Sequence, residues 1–190
     1  PLSHMSLPII GEGKLKYKNK VLNSKFVLNK IGIIPVTLKK KEGLALINGT
    51  QFSTAYGVYC LYTLLNLVKT CDIAGAMSVE AMMGSKKPFS KKVNKLKDFP
   101  GQIKTSTNLT NILKNSEIME SHDKCSRVQD IYSLRCMPQV HGSSRDLIDF
   151  SINQINIEIN SVSDNPLVFN KGEIISAGHF HAEAVGHALD

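Results

Sequence analysis

The sequence contains no tryptophan and few aromatic residues, and it has no uninterrupted apolar stretch that could span a membrane. Its longest apolar run, residues 58–68, is broken by Thr63 and Asn66 and falls well short of the ~20 residues that a transmembrane helix needs. The four cysteines form no Cys-x-x-Cys pair, and residues 1–10 lack the basic start of a secretory signal. We therefore expect reduced thiols in a cytoplasmic protein that makes no membrane contact.

Acidic residues are also outnumbered, since 23 lysines and arginines stand against 16 aspartates and glutamates and give a formal net charge of +7. The excess is concentrated in residues 86–97, which contain six lysines. Such a segment can contact a phosphate backbone, but no aromatic interleaving or nucleic-acid motif accompanies it. We interpret it as a solvated loop and helix surface, and we expect no nucleic-acid partner.

Apolar residues recur with helical spacing over much of the chain. Residues 50–83 carry the longest such pattern, which predicts one long helix or, alternatively, a second helix that begins near Cys71 or Asp72. Another pattern predicts a helix over about residues 140–160, where leucines and isoleucines form one stripe. Few strand-like runs alternate with these helices, so the sequence predicts a mainly α protein rather than a parallel α/β fold.

The shorter elements are predicted from caps, turns and helix-breaking residues. The predicted short helices are residues 1–10, stopped by Gly11; 25–30, capped by Ser24 and stopped by Gly32; 37–47, capped by Thr37; one from Thr107 or Asn108 to 115; and one that begins near His179. Residues 14–22 are predicted to form a small hairpin around Asn19 and Lys20 or, alternatively, an irregular excursion. Residues 166–176 are predicted to form a short hairpin with a turn at Asn170, Lys171 and Gly172.

Residues 128–142 hold a dense group of polar side chains. An amide, a carboxylate, a phenol and a guanidinium lie between Gln129 and Arg135 without an apolar period, so the segment is not typical of a buried helix or strand. If it were helical, Gln129 and Tyr132 would share one face, and Pro138 would limit how far the helix runs. The pattern indicates either a site for a small charged ligand or a loop whose polar groups satisfy one another.

This stretch resembles a signature of the histidine ammonia-lyase family, and three further stretches do so as well. They are Glu-Gly-Leu-Ala-Leu-Ile-Asn-Gly-Thr-Gln at residues 42–51, Ser-Val-Ser-Asp-Asn-Pro-Leu-Val-Phe at 161–169 and Gly-His-Phe-His-Ala-Glu at 178–183. The four stretches come in the order of the family and at about its spacing, and residues 1–13 fit too. The resemblance covers essentially the whole chain, and four long motifs in order are a far more specific signal than one short pattern.

The resemblance implies a segment of a fumarase/aspartase-like helical bundle, which assembles as a homotetramer with active sites built from several subunits. It also implies the family's electrophilic cofactor, a methylidene-imidazolone made from an Ala-Ser-Gly triad. That tripeptide does not occur in the chain, and the family has it a few residues before the equivalent of Pro1. We therefore expect residues 1–190 to be a single partial domain that starts just after the triad, is truncated at its C-terminus and is inactive in isolation.

The activity that the resemblance implies is the elimination of ammonia from L-histidine, which gives trans-urocanate in the first step of histidine degradation. In the family, covalent activation and orientation of the substrate drive this reaction, and the catalytic base and the imidazole-recognising residues lie outside this chain. Two alternatives therefore stay open. One is a phenylalanine or tyrosine ammonia-lyase-like enzyme, and the other is a non-catalytic helical remnant or interaction module of the same fold.

Arg135 is the strongest candidate for substrate binding. A guanidinium stays charged at any working pH and offers two parallel N–H donors that match a carboxylate, and the resemblance implies that Arg135 anchors the substrate's α-carboxylate. The alternative is a structural ion pair with Asp130 or Asp146. The family also has a residue equivalent to Gln129 near the site, and we assign Gln129 to substrate binding.

Tyr132 and Asn48 are the catalytic candidates. The resemblance implies that Tyr132 lies against the cofactor and assists its formation or the chemistry, whereas the alternative is a buried tyrosine with one satisfied hydroxyl. Asn48 precedes Gly49 and would present its amide to the substrate or to the cofactor carbonyl, and the alternative is a capping Asn-Gly turn. Phe180 is expected near the site in a supporting role.

The sequence departs from the usual family pattern at several positions, which are His179 for Asn, His141 for Met, Ala184 for Pro and Met137 for Gln. His179 has the largest expected consequence, because it replaces an amide next to Phe180 with a titratable ring. On a helix, His179, Glu183 and His187 would also lie at four-residue steps and could face one metal ion. The family uses no catalytic metal, so we expect none.

Overall fold

Most of residues 2–190, the part of the chain that this computed structural model describes, are helical. The helices are α1 Leu2–Ser6, α2 Ser24–Lys30, α3 Glu42–Ala45, α4 Gln51–Ala81, α5 Lys91–Asn94, α6 Pro100–Ile112, α7 Glu117–Ser121, α8 Tyr132–Arg135, α9 Met137–Glu158 and α10 Glu183–Leu189. The strands are β1 Lys14–Tyr17, β2 Lys20–Asn23, β3 Leu167–Val168 and β4 Ile174–Ile175. The prediction of a mainly α protein is confirmed. Within the described residues, no helix is both long and apolar enough to cross a membrane.

The chain divides into two units. The first unit contains residues 2–57 and 154–190, and the second unit contains residues 58–153. Helices α4 and α9 have residues in both. The long α4 is a single helix, so the alternative of a second helix beginning near Cys71 or Asp72 is wrong.

The first unit begins with the predicted short helix and hairpin. Helix α1 continues as a 3-10 helix, Leu7–Ile10, and Gly11 ends it at a φ of 78°, a left-handed conformation that glycine adopts without strain. Strands β1 and β2 pair antiparallel, and α2 follows directly. Its N-cap is Asn23, whose side-chain oxygen accepts from Phe26 N at 3.2 Å, so the prediction of Ser24 as the cap was off by one residue.

The predicted helix over residues 37–47 is wrong in extent, because only α3 forms there. Lys41 begins it with a φ of 73°, and Lys39 N donates to the Glu42 carboxylate at 2.6 Å. Lysine charges in a first helical turn would oppose the helix dipole. In the structure the three lysines at 39–41 precede α3, and Glu42 lies in its first turn, where a negative charge is favourable.

The end of the first unit carries the second hairpin and α10. Strands β3 and β4 pair antiparallel across the predicted turn, so that hairpin is confirmed. The last helix begins at Glu183 and not near His179. A turn precedes it, in which His181 N donates to Gly178 O at 3.0 Å and Glu183 N donates to His181 Nδ1 at 3.3 Å. These bonds engage the backbone N–H groups of His181 and Glu183, so they are not available to a helix that begins near His179.

The second unit has an apolar core between α4, α6, α7, α8 and α9. Its buried members are Ala76, Val79, Phe89, Leu109, Leu113, Met119, Leu134 and Met137.

Helix α6 starts at Pro100, so the prediction that it starts at Thr107 or Asn108 is wrong. Proline suits a first helical position, where its missing N–H is not needed. Gly101 is required next, because a Cβ there would collide with the backbone oxygen of Gly142 in α9.

Candidate functional site

Arg135 lies in the second unit at the end of α8, a single helical turn. Its Nε donates to the backbone oxygen of Asp130 at 2.8 Å, so the guanidinium is fixed through one nitrogen. Neither proposed carboxylate pairs with it. The Asp130 carboxylate accepts from Ser85 N at 2.6 Å and from Arg127 Nη1 at 3.3 Å, and the Asp146 carboxylate accepts from Gly101 N at 2.7 Å.

The two Nη groups of Arg135 therefore have no partner among residues 2–190. These are the nitrogens that make a bidentate contact with a carboxylate when they face it. Arg135 lines a cleft of about 220 Å³. Three further cations, Lys86, Lys87 and Arg127, line the same cleft and outnumber its two carboxylates, Asp123 and Asp130. Positive charge around a guanidinium favours an anionic ligand.

Gln129 lines this cleft as well, so the structure brings Gln129 and Arg135 together. Its side chain is exposed and has no hydrogen-bond partner within the described chain. The amide offers both donors and an acceptor beside the guanidinium. This pair could bind the charged end of a small molecule.

Tyr132 is the first residue of α8, three positions before Arg135. It is 75% exposed and does not line the cleft. Its hydroxyl makes no hydrogen bond to any residue that the structure describes. The alternative of a buried tyrosine with a satisfied hydroxyl is therefore wrong. The helix break after Arg135 keeps Tyr132 in this short turn, because α9 starts anew at Met137 with Pro138 in its first turn.

Asn48 lies in the first unit, between α3 and α4. Its backbone N–H donates to Leu44 O at 3.0 Å, and its half-buried side-chain amide has no partner in the described part of the chain. On one side, Leu46 O accepts from the Ser6 hydroxyl at 3.1 Å. On the other, the Thr50 hydroxyl donates to Glu158. The turn is thus fixed by its neighbours while the Asn48 amide stays free for a ligand.

Phe180 also lies in the first unit, in the turn before α10, and its side chain is 41% exposed. His179 is beside it and is exposed. Asn48 and Phe180 therefore belong to one unit, whereas Gln129, Tyr132 and Arg135 belong to the other.

The hypothesis of a metal bound by one helical face does not hold, because His179 precedes α10. On that helix His187 Nε2 lies 3.1 Å from Glu183 Oε1, and His181 Nδ1 lies 3.8 Å from Glu183 Oε2. All three side chains are largely exposed. No group of three histidine, cysteine, aspartate or glutamate residues within residues 2–190 is placed to hold a metal ion.

Sequence reasoning missed an ion pair next to the Asn48 turn. Lys41 Nζ lies 2.6 Å from Asp164 Oδ2 in the first unit. The hydrogen bond from Lys41 lowers the pKa of the Asp164 carboxyl below its ordinary value, and the Asn165 N–H acts in the same direction, whereas burial opposes them. The only signal in the sequence was position, since Lys41 directly precedes one motif and Asp164 lies within another.

A second missed group is buried in the second unit. The Asp72 carboxylate accepts from Arg145 Nη2, from Asn108 Nδ2 at 2.7 Å and from His141 Nδ1 at 3.0 Å. Arg145 also donates through Nε to the Thr105 hydroxyl at 3.1 Å. This network joins α4, α6 and α9. It accounts for His141, one of the departures from the family pattern, as a structural hydrogen-bond donor.

Comparison with known proteins gives a consistent result. The sequence profile described as aromatic amino acid lyase matches residues 1–190. The chain is 48% identical over 196 residues to histidine ammonia-lyase from Sorangium cellulosum, an alignment that covers 100% of this chain and 38% of that relative. The chain therefore spans well under half the length of this curated relative.

Solved structures with a similar fold come from more than one activity. Histidine ammonia-lyase from Trypanosoma cruzi matches with a TM-score of 0.86 and 37% identity over 100% of this chain and 35% of its own. Tyrosine aminomutase from Streptomyces globisporus matches with a TM-score of 0.89 and 32% identity over 100% of this chain and 40% of its own. The fold alone thus does not discriminate between substrates.

Proposed function

This chain belongs to the aromatic amino acid lyase family, and from that premise we propose that the whole protein eliminates ammonia from L-histidine to give trans-urocanate. The substrate assignment is supported by the 48% identity to a relative named histidine ammonia-lyase across the full length of this chain. The observation that carries the chemistry is the state of Arg135, whose Nη pair is unpartnered in a cleft lined by further cations.

Arg135 binds the α-carboxylate of the amino acid in this proposal. Its Nε bond to the Asp130 backbone sets the plane of the guanidinium, and the two Nη groups then donate to the two carboxylate oxygens as a fork. Gln129 contributes a further hydrogen bond to the same end of the substrate. Holding that end fixed orients the rest of the molecule, which is a large part of what a protein contributes to an elimination. Phe180 supports the site as an apolar side chain.

We assign Tyr132 and Asn48 to the family's methylidene-imidazolone group. The residues fit such a group, because the Tyr132 hydroxyl and the Asn48 amide both lack partners within the described chain and can donate to a carbonyl oxygen. The group would be made from an Ala-Ser-Gly triad outside the 190 residues, among which that tripeptide does not occur. When bound, it supplies an electrophile that activates the amino acid for loss of its poor leaving group.

The remaining proposals concern the whole protein. It acts in the cytoplasm as a homotetramer, and each active site is built from several subunits. Residues 1–190 form a single partial domain of it and are inactive alone. The catalytic base and the residues that recognise imidazole come from outside this chain. No metal takes part.

In the decisive experiment, the purified whole protein is incubated separately with L-histidine, L-phenylalanine and L-tyrosine. The release of ammonia and of the corresponding unsaturated acid is measured for each. We expect urocanate from L-histidine and little product from the other two. Release from phenylalanine or tyrosine alone would replace the substrate, and no release from any of them would leave the non-catalytic alternative.

The variant Arg135→Lys tests the role of the guanidinium. Lysine keeps the charge but loses the fork, so we expect KM for L-histidine to rise about 10- to 100-fold, the equivalent of one hydrogen bond to a charged group. Lys87→Met is the matched control, since it removes a cation from the same cleft and should change KM by less than about threefold. An equal effect of both variants would assign Arg135 a general electrostatic role only.

A further inference from the structure

We propose that the ion pair between Lys41 and Asp164 is a positioning device for Asn48, so that it acts on the reaction through the orientation of that amide. The inference rests on the proposed function in one respect, the role of Asn48. Lys41 Nζ lies 2.6 Å from Asp164 Oδ2, and the two side chains are only 26% and 11% exposed. The pair joins the residue directly before one motif to a residue within another, more than a hundred positions away in the sequence.

The Asp164 end of the pair is held on its other side as well. Its Oδ1 accepts from Asn165 N at 2.6 Å, and Asn165 Oδ1 in turn accepts from Ala177 N at 2.7 Å. The carboxylate therefore has a fixed direction before Lys41 reaches it. Charge-assisted bonds of this length hold their geometry better than neutral ones.

The Lys41 end is a strained backbone position. Its φ is 73°, a left-handed conformation that residues with a Cβ rarely adopt and that persists where the surroundings impose it. Lys41 O accepts from Ala45 N at 3.2 Å, and Leu44 O accepts from Asn48 N at 3.0 Å. The strained residue is thus joined to Asn48 by consecutive turns of backbone hydrogen bonds.

The other end of the Asn48 turn is set against the same segment. A Cβ on Gly49 would lie 2.5 Å from Ser163 O, so the backbone of the turn rests directly on the residue before Asp164. Because the Asn48 side chain has no partner of its own in the described chain, the position of its amide depends on the backbone that carries it. Lys41 and Gly49 restrain that backbone from both sides.

The test uses the whole protein in its native assembly and the variants Lys41→Met, Asp164→Asn and Asn48→Ala, with Lys40→Met as the matched control. Lys40 is exposed and precedes Lys41. We expect Lys41→Met and Asp164→Asn to lower kcat about 10- to 100-fold, the scale for a misplaced catalytic group, with KM for L-histidine nearly unchanged. Lys40→Met should leave kcat within about twofold, and Lys41→Arg should restore most of it.

A double variant separates positioning from general damage. If Lys41 acts through Asn48, then Lys41→Met causes no further loss of kcat once Asn48 is alanine. A loss of the same factor in both backgrounds would overturn the proposal. Asp164→Asn keeps the shape of the side chain, so it covers the case in which Lys41→Met does not fold.

Hydrogen exchange separates this inference from the proposed function. Peptides that cover residues 42–50 should exchange at least about 10-fold faster in Lys41→Met than in Lys40→Met, because the tether restrains this turn. The measurement needs no activity, so it decides the inference even if the protein releases no ammonia from any amino acid. Equal exchange in the two variants would overturn it.

Discussion

The two units hold their polar groups in place by different means. In the second unit, Asp72 is only 2% exposed, and its carboxylate accepts from three donors. In the first unit, the Asn48 turn depends on a backbone contact at Gly49 and on the partly exposed pair of Lys41 and Asp164. Buried carboxylates give up water and need every donor, whereas a backbone contact needs only the absence of a side chain.

This difference predicts which single substitutions lower the free energy of unfolding and which mainly displace a turn. Removing a buried acceptor in the second unit leaves charged or polar donors buried without a partner, which lowers the free energy of unfolding the most. Removing one contact in the first unit leaves groups that water can reach. The predictions below compare the two units in that order.

The largest effect is expected for Asp72→Ala in the second unit. The change leaves the Arg145 guanidinium buried without its counter-charge, and it also removes the acceptor for Asn108 and His141. Breaking such a buried pair costs about 3–5 kcal/mol. Denaturant unfolding of the whole protein measures it. Asp149→Ala, at an exposed position of α9, is the control and should cost less than about 0.5 kcal/mol. Similar losses for both would remove the distinction between the units.

A smaller effect is expected at Gly49 in the first unit. The variant Gly49→Ala places a Cβ 2.5 Å from Ser163 O and even nearer to the Gln51 side chain, so the turn must move, at a cost of about 1–3 kcal/mol. Gly186→Ala is the matched control, because nothing lies within 4 Å of its Cβ position in α10. Alanine there should stabilise the helix by about 0.5–1 kcal/mol. Thermal unfolding would contradict the comparison if the two variants shifted Tm in the same direction.

Periodicity predicted the elements that are set by local chemistry. The pattern over residues 50–83 became α4, and the leucine and isoleucine stripe became α9, because each helix buries part of its apolar surface within a unit. The start of α6 was missed for a reason that lies elsewhere in the chain. Gly101 looks like a helix breaker in the sequence, but it is required where the Gly142 backbone passes.

The same limit applies to the candidate site, because the sequence singles out its residues but not the residues that hold them in place. Residue types and resemblance singled out Arg135, Tyr132 and Asn48. The Arg135 Nη groups, the Tyr132 hydroxyl and the Asn48 amide have no partner among the described residues, and their roles stay predictions. Their supports were not predictable, since Lys41 meets Asp164 and Asp72 meets Arg145 only after folding. A charged residue in an apolar helix pattern, such as Asp72, signals a buried partner but does not name it.

The smallest effect concerns pH and isolates the ion pair of the first unit. Because the Lys41 bond holds the pKa of Asp164 below its ordinary value of 3.8, the stability that the pair contributes is present above that value. It is lost as the pH falls through the lower pKa of the folded state, where Asp164 takes up a proton. The pair is partly exposed, so its contribution is expected to be below about 1 kcal/mol.

Tm of the wild type and of Asp164→Asn, measured from pH 7 to strongly acidic conditions, gives this contribution as a difference. We expect the wild type to be the more stable protein at neutral pH and the difference to vanish in acid. Glu12→Gln removes an exposed carboxylate of the same unit and should show no such convergence. A difference that stays constant or widens as the pH falls would mean that the Asp164 charge does not stabilise the turn. Lys41 would then hold the turn by packing alone, and the two units would differ only in burial.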